Sequence, residues 1–506
     1  MILAVLLACR APEGARPLPA APGDVAGPAL GPLDPALRVT SIVASQPWHA
    51  NELLLTVTTS SPAELAAVCT LDADPAERHL ARATAPGLTR ALRVPGLLAD
   101  SAYTCRVTPI RPRGAAAEVA VTTGPLPDDV PETEVLRWDD TNPDLYVLAN
   151  WSDATDYSTG LLLVFDPQGR VRWWARTPDN VGPSVEFVYL GGDRFAWGGG
   201  WTPNAAGRPR LLDLYDGEIW DSGAAILDVE SSAFHHDGKR LWDGRWATLE
   251  AVQVLGEESS FGGFQVRILD PETNTVASTY DAQRAVDEGH LPSGSWDAWH
   301  ANWVDTQPTP EGGQELLVGL RNLSSVISVD ADTGDWRWRF GPGGDFVLQD
   351  ASGAPLGDEG YPSWLHAPVW DGETLLVYDN GVSAAQTRVV AYTLDIQEQT
   401  ATLDWSWTED GWYEAYLGSV RWLPDGHVLV GSGHAEPYST TPGGRTAIFE
   451  IDPERTEKLW QLTYTDVNAM AYRASWADGC DLFNNAAICA TVADEIAALE
   501  AGISSE

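Results

Sequence analysis

Val326-Ile-Ser-Val-Asp330-Ala-Asp-Thr-Gly334-Asp-Trp336-Arg-Trp338 is the stretch that decides the fold. It reads as an apolar strand, an acidic turn closed by glycine, and a tryptophan-bearing strand. The module recurs as Leu161-Leu-Leu-Val-Phe-Asp166-Pro-Gln-Gly169-Arg-Val-Arg-Trp173-Trp174 and as Ala447-Ile-Phe-Glu-Ile-Asp452-Pro-Glu-Arg-Thr-Glu-Lys-Leu-Trp460. Weaker copies run through Leu211–Trp220, Val266–Thr279 and Val389–Trp407. A second unit with an Asp-Gly turn precedes several copies, at Trp242-Asp-Gly244, Trp370-Asp-Gly372 and Trp422-Leu-Pro-Asp-Gly426. Two hairpins per unit make a four-stranded blade. Six copies over residues 133–476 give roughly 57 residues per blade, a little above common propeller repeats. The expectation is an all-β chain built around a six-bladed β-propeller. Most of the 23 Trp then fill wedges between radially packed sheets.

Ahead of the repeats, period-two alternation marks short strands from Leu37 to Thr123. Leu97-Leu98-Ala-Asp-Ser-Ala-Tyr103-Thr-Cys105-Arg-Val resembles the segment of fibronectin type III domains in which a Leu and a Tyr pin a corner. A small type III-like β-sandwich is expected over residues 36–123. The Pro-rich residues 124–132 read as a linker.

The formal charge of −41 excludes nucleic-acid binding and adsorption to an anionic membrane surface. At the N-terminus, Leu6-Leu7-Ala8-Cys9 resembles a lipoprotein lipobox, although the apolar stretch is short and no Lys or Arg precedes it. Residues 1–9 are read as a lipoprotein-like signal with Cys9 as the lipid site, and 10–35 as a Pro/Ala/Gly-rich tether. Any membrane contact is expected through that anchor alone. Setting Cys9 aside, the four remaining cysteines fall as two local pairs, Cys69 with Cys105 and Cys480 with Cys489. None has C-x-x-C spacing, so two disulfides in an oxidising compartment are expected, the second within a C-terminal tail, 477–506. That places the chain outside the cytoplasm, as an envelope lipoprotein or a periplasmic or extracellular protein. The oligomeric state stays open, a homodimer included.

Histidine is scarce, nine residues in all, and four sit at blade starts. They are His235 and His236 in Phe234-His-His-Asp, His300 in Trp299-His-Ala-Asn302-Trp303, and His366 in Trp364-Leu-His-Ala-Pro. Three successive blades would aim a His at one axis. A lone Arg321 ends an apolar strand of the His300 blade.

Over Leu161–Arg473 the chain resembles the arylsulfotransferase family of bacterial aryl-sulfate sulfotransferases. The likeness is densest in His300-Ala-Asn302-Trp-Val-Asp305, Leu320-Arg321-Asn-Leu-Ser-Ser-Val-Ile, Asp330 to Gly341, His366 to Gly381, and Gly418 to Gly431. The resemblance implies transfer of a sulfuryl group from a phenolic sulfate to a phenol without a nucleotide sulfate donor, through a transiently sulfated histidine. It implies His366 as nucleophile, and His300, Asn302, Arg321 and one of His235/His236, with His236 preferred, as the sulfate cradle. An imidazole attacks sulfur, Arg offers a planar fork to the oxyanion, a second His moves the phenol proton, and Asn donates without titrating. Trp299, Trp303 and Trp364 are expected beside the aromatic partners. No cofactor or metal is expected.

Two departures stand out. Leu365 replaces the polar Gln that usually precedes the family's nucleophile, and the insertion between Gly341 and Pro362 is expected to alter the channel mouth. The alternatives are a catalytically silent cell-surface propeller acting as a binding module, and a metal site built from His236, His300 and His366.

Overall fold

The computed structural model describes residues 30–504 apart from 47–48, 138–143, 154–155, 178–185, 193, 199–208, 216, 222–232, 256–259, 295–296, 310–311, 434–438 and 441–444. The lipobox with Cys9 and most of the expected tether lie outside the described residues.

Six sheets, each built on four antiparallel strands and three of them carrying a fifth, form a six-bladed propeller. Blade 1 runs outward through Ala474–Asp478, Leu145–Asp153, Asp156–Phe165 and Val171–Arg176. The inner strands of blades 2 to 6 are Glu186–Gly191, Ala233–Arg240, Ala301–Pro308, His366–Trp370 and Ser419–Trp422. With Ala474–Asp478 they contact one another in a closed ring. The ring is fastened twice. A strand from the C-terminal end supplies the inner strand of blade 1, and Thr133–Arg137 adds an outer strand to blade 6 by pairing with Glu457–Tyr464.

The acidic turn of the module has a physical reason. In every blade the Asp at its start accepts a hydrogen bond from the backbone N–H two residues on: Asp166 from Gln168, Asp213 from Tyr215, Asp270 from Glu272, Asp330 from Asp332, Asp395 from Gln397 and Asp452 from Glu454. Such side-chain closure fixes the hairpin between the third and fourth strands. The tryptophans that follow fill the wedges as expected. Trp173 packs between blades 1 and 2, Trp338 between 4 and 5, Trp407 between 5 and 6, and Trp460 between 6 and 1.

The N-terminal unit takes a different form from two separate sandwich sheets. It is one six-stranded sheet curled into a barrel-like shape. Glu52–Leu71 pairs along its length with Asp74–Pro95, with Leu33–Ser45 over its first half and with Ala102–Arg111 over its second. Arg113–Ala115 joins the two flanking strands and completes the circuit. Strands of 20 and 22 residues run on where a sandwich would break, and register slips between Thr58 and Leu65 absorb the bend. Leu33–Ser45 begins within the stretch read as tether. The corner is pinned, because the Tyr103 hydroxyl accepts from Leu98 N–H at 2.8 Å. Cys69 faces Cys105 across adjacent strands and is bonded to it.

The C-terminal segment is more than a tail. After the Cys480–Cys489 disulfide comes a helix, Ala490–Ser504. Val492, Ile496 and Leu499, one face at helical spacing, pack on Ala66, Leu80 and Ile110 of the barrel-like sheet. At the junction with the propeller, Arg172 of blade 1 is fully buried between Glu77 (2.5 Å) and Asp166 (2.7 Å). Asn51 Nδ2 donates to Val171 O at 3.0 Å beside it. Two buried carboxylates around one guanidinium lock this unit to blade 1.

The Gly341–Pro362 insertion lands away from the channel mouth. Its strand Val347–Asp350 pairs in parallel with Thr400–Trp407, making a fifth strand at the outer edge of blade 5.

Candidate active site at one end of the propeller axis

The inner strands of blades 3, 4 and 5 share a local irregularity. Pairing slips between Phe234 and Gly238, between Ala301 and Trp303, and between His366 and Val369. At the same places His236 (φ 64°), His300 (φ 46°) and Ala367 (φ 45°) adopt the left-handed conformation. Each such non-glycine residue costs on the order of 1–3 kcal/mol, and such strain concentrates at functional sites. The bulges turn three imidazoles toward one place. The His236 and His300 rings lie 4.8 Å apart, and Tyr472 stands 6.2 Å from His236 and 6.1 Å from His366. His235 is on the same strand as His236, and its side chain lies outside the described residues.

His366 is 2% exposed. Its Nδ1 lies 2.6 Å from Asn380 Oδ1, and among the described residues its Nε2 has no hydrogen-bond partner. Burial, followed by the Arg321 charge, holds its pKa well below the usual value, so the ring is neutral at physiological pH.

Arg321 begins a short 3-10 turn stapled to the His300 loop. Its N–H donates to His300 O at 3.2 Å, and Asn322 Nδ2 donates to Asp297 O at 2.7 Å. The guanidinium is buried, donating to Asn322 Oδ1 (3.0 Å) and Ala415 O (3.1 Å), while its Nε has no partner. No carboxylate pairs with it among the described residues. Burial pushes its pKa down to about 10. A buried charge without a carboxylate partner costs several kcal/mol, which sets Arg321 apart in a chain with 72 acidic residues.

Asp297 Oδ2 lies 2.6 Å from His300 Nδ1 and orients that ring. Asn302 is fully buried and donates from Nδ2 to Leu365 O at 3.0 Å, which fixes the turn leading into His366. From the closing segment, Arg473 reaches across to Asp237 Oδ1 and to Asn302 O, both at 2.8 Å. Asp237 Oδ2 in turn accepts from Val304 N–H at 2.8 Å. Blades 3 and 4 are thereby tied at the axis through one guanidinium.

The three tryptophans divide. Trp364, 36% exposed, lies over Arg321 at 3.9 Å. Trp299 is fully buried in the core of blades 3 and 4, donating to Pro292 O at 3.3 Å. Trp303 is fully buried at the axis, with Arg473 4.1 Å and Arg421 4.8 Å from its ring. These two are internal packing, Trp299 from the loop before the strand and Trp303 from the strand itself. The metal alternative is not supported by position. Among the described residues the group whose ligand atoms gather within 4.8 Å is Asp425, His427 and Glu450 on blade 6, away from the three axial histidines.

Sequence reading passed over Asp237, Asp297, Asn380, Glu414, Tyr472 and Arg473. Asp237 and Asp297 carried a signal, each lying within three residues of a blade-start His. The others reach the site from separate segments and carried none.

The fold and site define a class: a six-bladed propeller with a neutral histidine and an uncompensated arginine buried together at the axis. The chain belongs to the arylsulfotransferase (ASST) family, whose model matches residues 133–473. At family level this is aryl sulfate sulfotransfer, with small aryl sulfates and phenols as substrates. No curated protein matches the chain. Among solved structures, it is similar to a GH43 β-xylosidase/α-arabinofuranosidase from a compost microbial metagenome (11% identity, 68% of this chain and 95% of that one, TM-score 0.27). It is also similar to Sqt1 of Saccharomyces cerevisiae (8% identity, 81% and 92%, TM-score 0.31). Scores this low carry nothing about function.

Proposed function

We propose that the chain is an aryl-sulfate sulfotransferase that works by double displacement through a sulfated His366. The observation that carries this reading is the buried Arg321 that meets no carboxylate among the described residues, next to a neutral imidazole whose Nε2 has no hydrogen-bond partner among them. The sulfate oxygens of the donor rest against Arg321, with the aryl ring toward the exposed Trp364. The Nε2 lone pair attacks sulfur, the Nε2–S bond forms and the S–O(aryl) bond breaks. The departing phenolate takes a proton from His300, which Asp297 orients. A phenol acceptor then gives its proton to His300, its oxygen attacks sulfur, and the electron pair of the Nε2–S bond returns to the ring. Fixed donors aimed at developing charge in a water-poor site are worth several kcal/mol. His236 completes the cradle beside His300, and Asn302 holds the turn before His366.

The two disulfides support an exported setting, with Cys9 as a proposed lipid site. Peptide mapping after exposure to 4-nitrophenyl sulfate is the direct test. One sulfuryl group on His366, discharged by added phenol, is the expected result. An unlabelled protein that leaves such donors intact refutes the enzyme and favours a silent binding propeller.

A further inference from the structure

We propose that Asn380 is a positioning residue that sets the reactive tautomer of His366 and keeps the sulfated ring labile. The inference rests on the sulfohistidine reading above.

The orientation of the Asn380 amide is forced. Its Nδ2 donates to two backbone carbonyls, Glu414 O at 2.9 Å and Leu417 O at 3.1 Å. A flipped amide would set an oxygen against two oxygens. Oδ1 therefore faces His366 Nδ1 at 2.6 Å, and an amide oxygen only accepts. The ring proton must sit on Nδ1, which leaves the lone pair on Nε2, the nitrogen that has no partner among the described residues. A histidine in water prefers the opposite tautomer, so the protein selects the nucleophilic form before substrate arrives.

The amide is held by a deeply buried strap. Glu414 is fully buried, and its carboxyl accepts from the hydroxyls of Tyr378 and Ser432, from Trp412 Nε1 (3.2 Å) and from Gly433 N–H (3.0 Å). The Thr387 hydroxyl clips the strap to the Asn380 backbone, donating to Asn380 O at 3.1 Å and accepting from Glu414 N–H at 2.7 Å. The next residue of the strap, Ala415, supplies the carbonyl that holds Arg321. Nucleophile and oxyanion cation thus hang from the same four residues, Glu414 to Leu417.

An amide also does what a carboxylate in its place would not. When Nε2 bonds to sulfur and the aryl oxygen leaves with the S–O electron pair, the Nδ1 proton stays and the ring becomes a cation. A neutral acceptor neither removes that proton nor stabilises the charge strongly. The Nε2–S bond therefore stays easy to break when the acceptor oxygen attacks. A carboxylate would stabilise the sulfated ring and slow the second transfer.

The test uses full-length protein with 15N-labelled histidine. In the unmodified chain, His366 should show a protonated Nδ1 and an unprotonated Nε2. Asn380→Leu, of similar volume, should move the proton to Nε2 and lower kcat for 4-nitrophenyl sulfate on the order of 100-fold, with KM changed less than about threefold. Asn380→Asp should keep the proton on Nδ1 and accumulate sulfated His366 during turnover. Protonation at Nε2 in the unmodified chain, or an unchanged tautomer in Asn380→Leu, overturns the proposal. The tautomer is read without substrate. An Nδ1–H ring in a protein that turns over no aryl sulfate would sink the enzyme reading and leave the tautomer assignment standing.

Discussion

Arg321 sits over the ring of Trp364, its guanidinium carbon 3.9 Å from the indole centroid, with the Tyr416 ring 5.9 Å away. The indole takes a left-handed backbone (φ 60°) to reach that place. Stacking holds the cation without neutralising it, which a carboxylate would do. Arg321→Lys keeps the charge and loses the plane and the fork. It should lower kcat/KM for aryl sulfates by about 10²–10³. Trp364→Ala should raise KM about tenfold with a smaller change in kcat, since it removes a contact worth about 1–2 kcal/mol in the ground state. Steady-state kinetics with a chromogenic donor separates the two.

Acid should destabilise the fold in part through His366. The folded ring stays neutral well below its usual pKa because it is buried. In the unfolded chain it takes a proton near pH 6.5. Below that pH the unfolded state binds the extra proton, so stability falls as pH falls and is recovered as pH rises. His366→Gln removes this contribution, and the fall in unfolding free energy between pH 7 and 5 should be shallower by up to ~1.4 kcal/mol per pH unit. Denaturant titrations at both pH values measure it, and identical slopes would count against a buried neutral ring.

Arg473 should matter for catalysis although it is not assigned contact with the sulfuryl group. Arg473→Ala releases Asp237 and the Asn302 carbonyl together. Misplacement of a cradle by about 1 Å costs on the order of 10²-fold in rate. Arg473→Lys keeps one of the two bonds and should recover part of the loss. The readout is kcat/KM beside an unchanged mass and near-native circular dichroism.

At the junction with the barrel-like unit, Glu77→Gln should cost ~3–5 kcal/mol, because it strips one of two carboxylates from the fully buried Arg172. Burial alone would raise the Glu77 pKa, but hydrogen bonds from His79 and Arg172 outweigh it and hold the carboxyl far below its usual range. The double variant Glu77→Gln with Arg172→Met should be less damaging than Glu77→Gln alone. Chemical denaturation of the three proteins decides it.

Much of the fold was legible because its signals are local. The acidic turn, the Asp-Gly hairpins and the tryptophan strands each lie within a dozen residues, and each Asp closes its own turn. His236, His300 and His366 were legible for the same reason, being one residue type at one register in successive repeats. Asn380, Glu414 and Arg473 were not. Asn380 meets His366 across the hairpin of blade 5, Glu414 follows that blade's outer strands, and Arg473 arrives only when the ring closes. Trp299 and Trp303 are both fully buried, because closeness in sequence to a site histidine says nothing about whether a side chain faces the axis or the core. The barrel-like unit departed from a sandwich where strands ran longer than alternation alone could tell.

The inner strand of blade 1, Ala474–Asp478, comes from the far end of the chain and carries Arg473 in with it. On the ribosome, Leu145–Asp153 emerges with its axial edge open and waits for more than three hundred residues of synthesis before that edge is covered. The axial cluster is therefore completed late, with only the Cys480–Cys489 segment and the helix Ala490–Ser504 still to follow. A prematurely terminated product has every histidine and no closed ring to hold them. Any chemistry at the axis therefore belongs to molecules whose ring has closed.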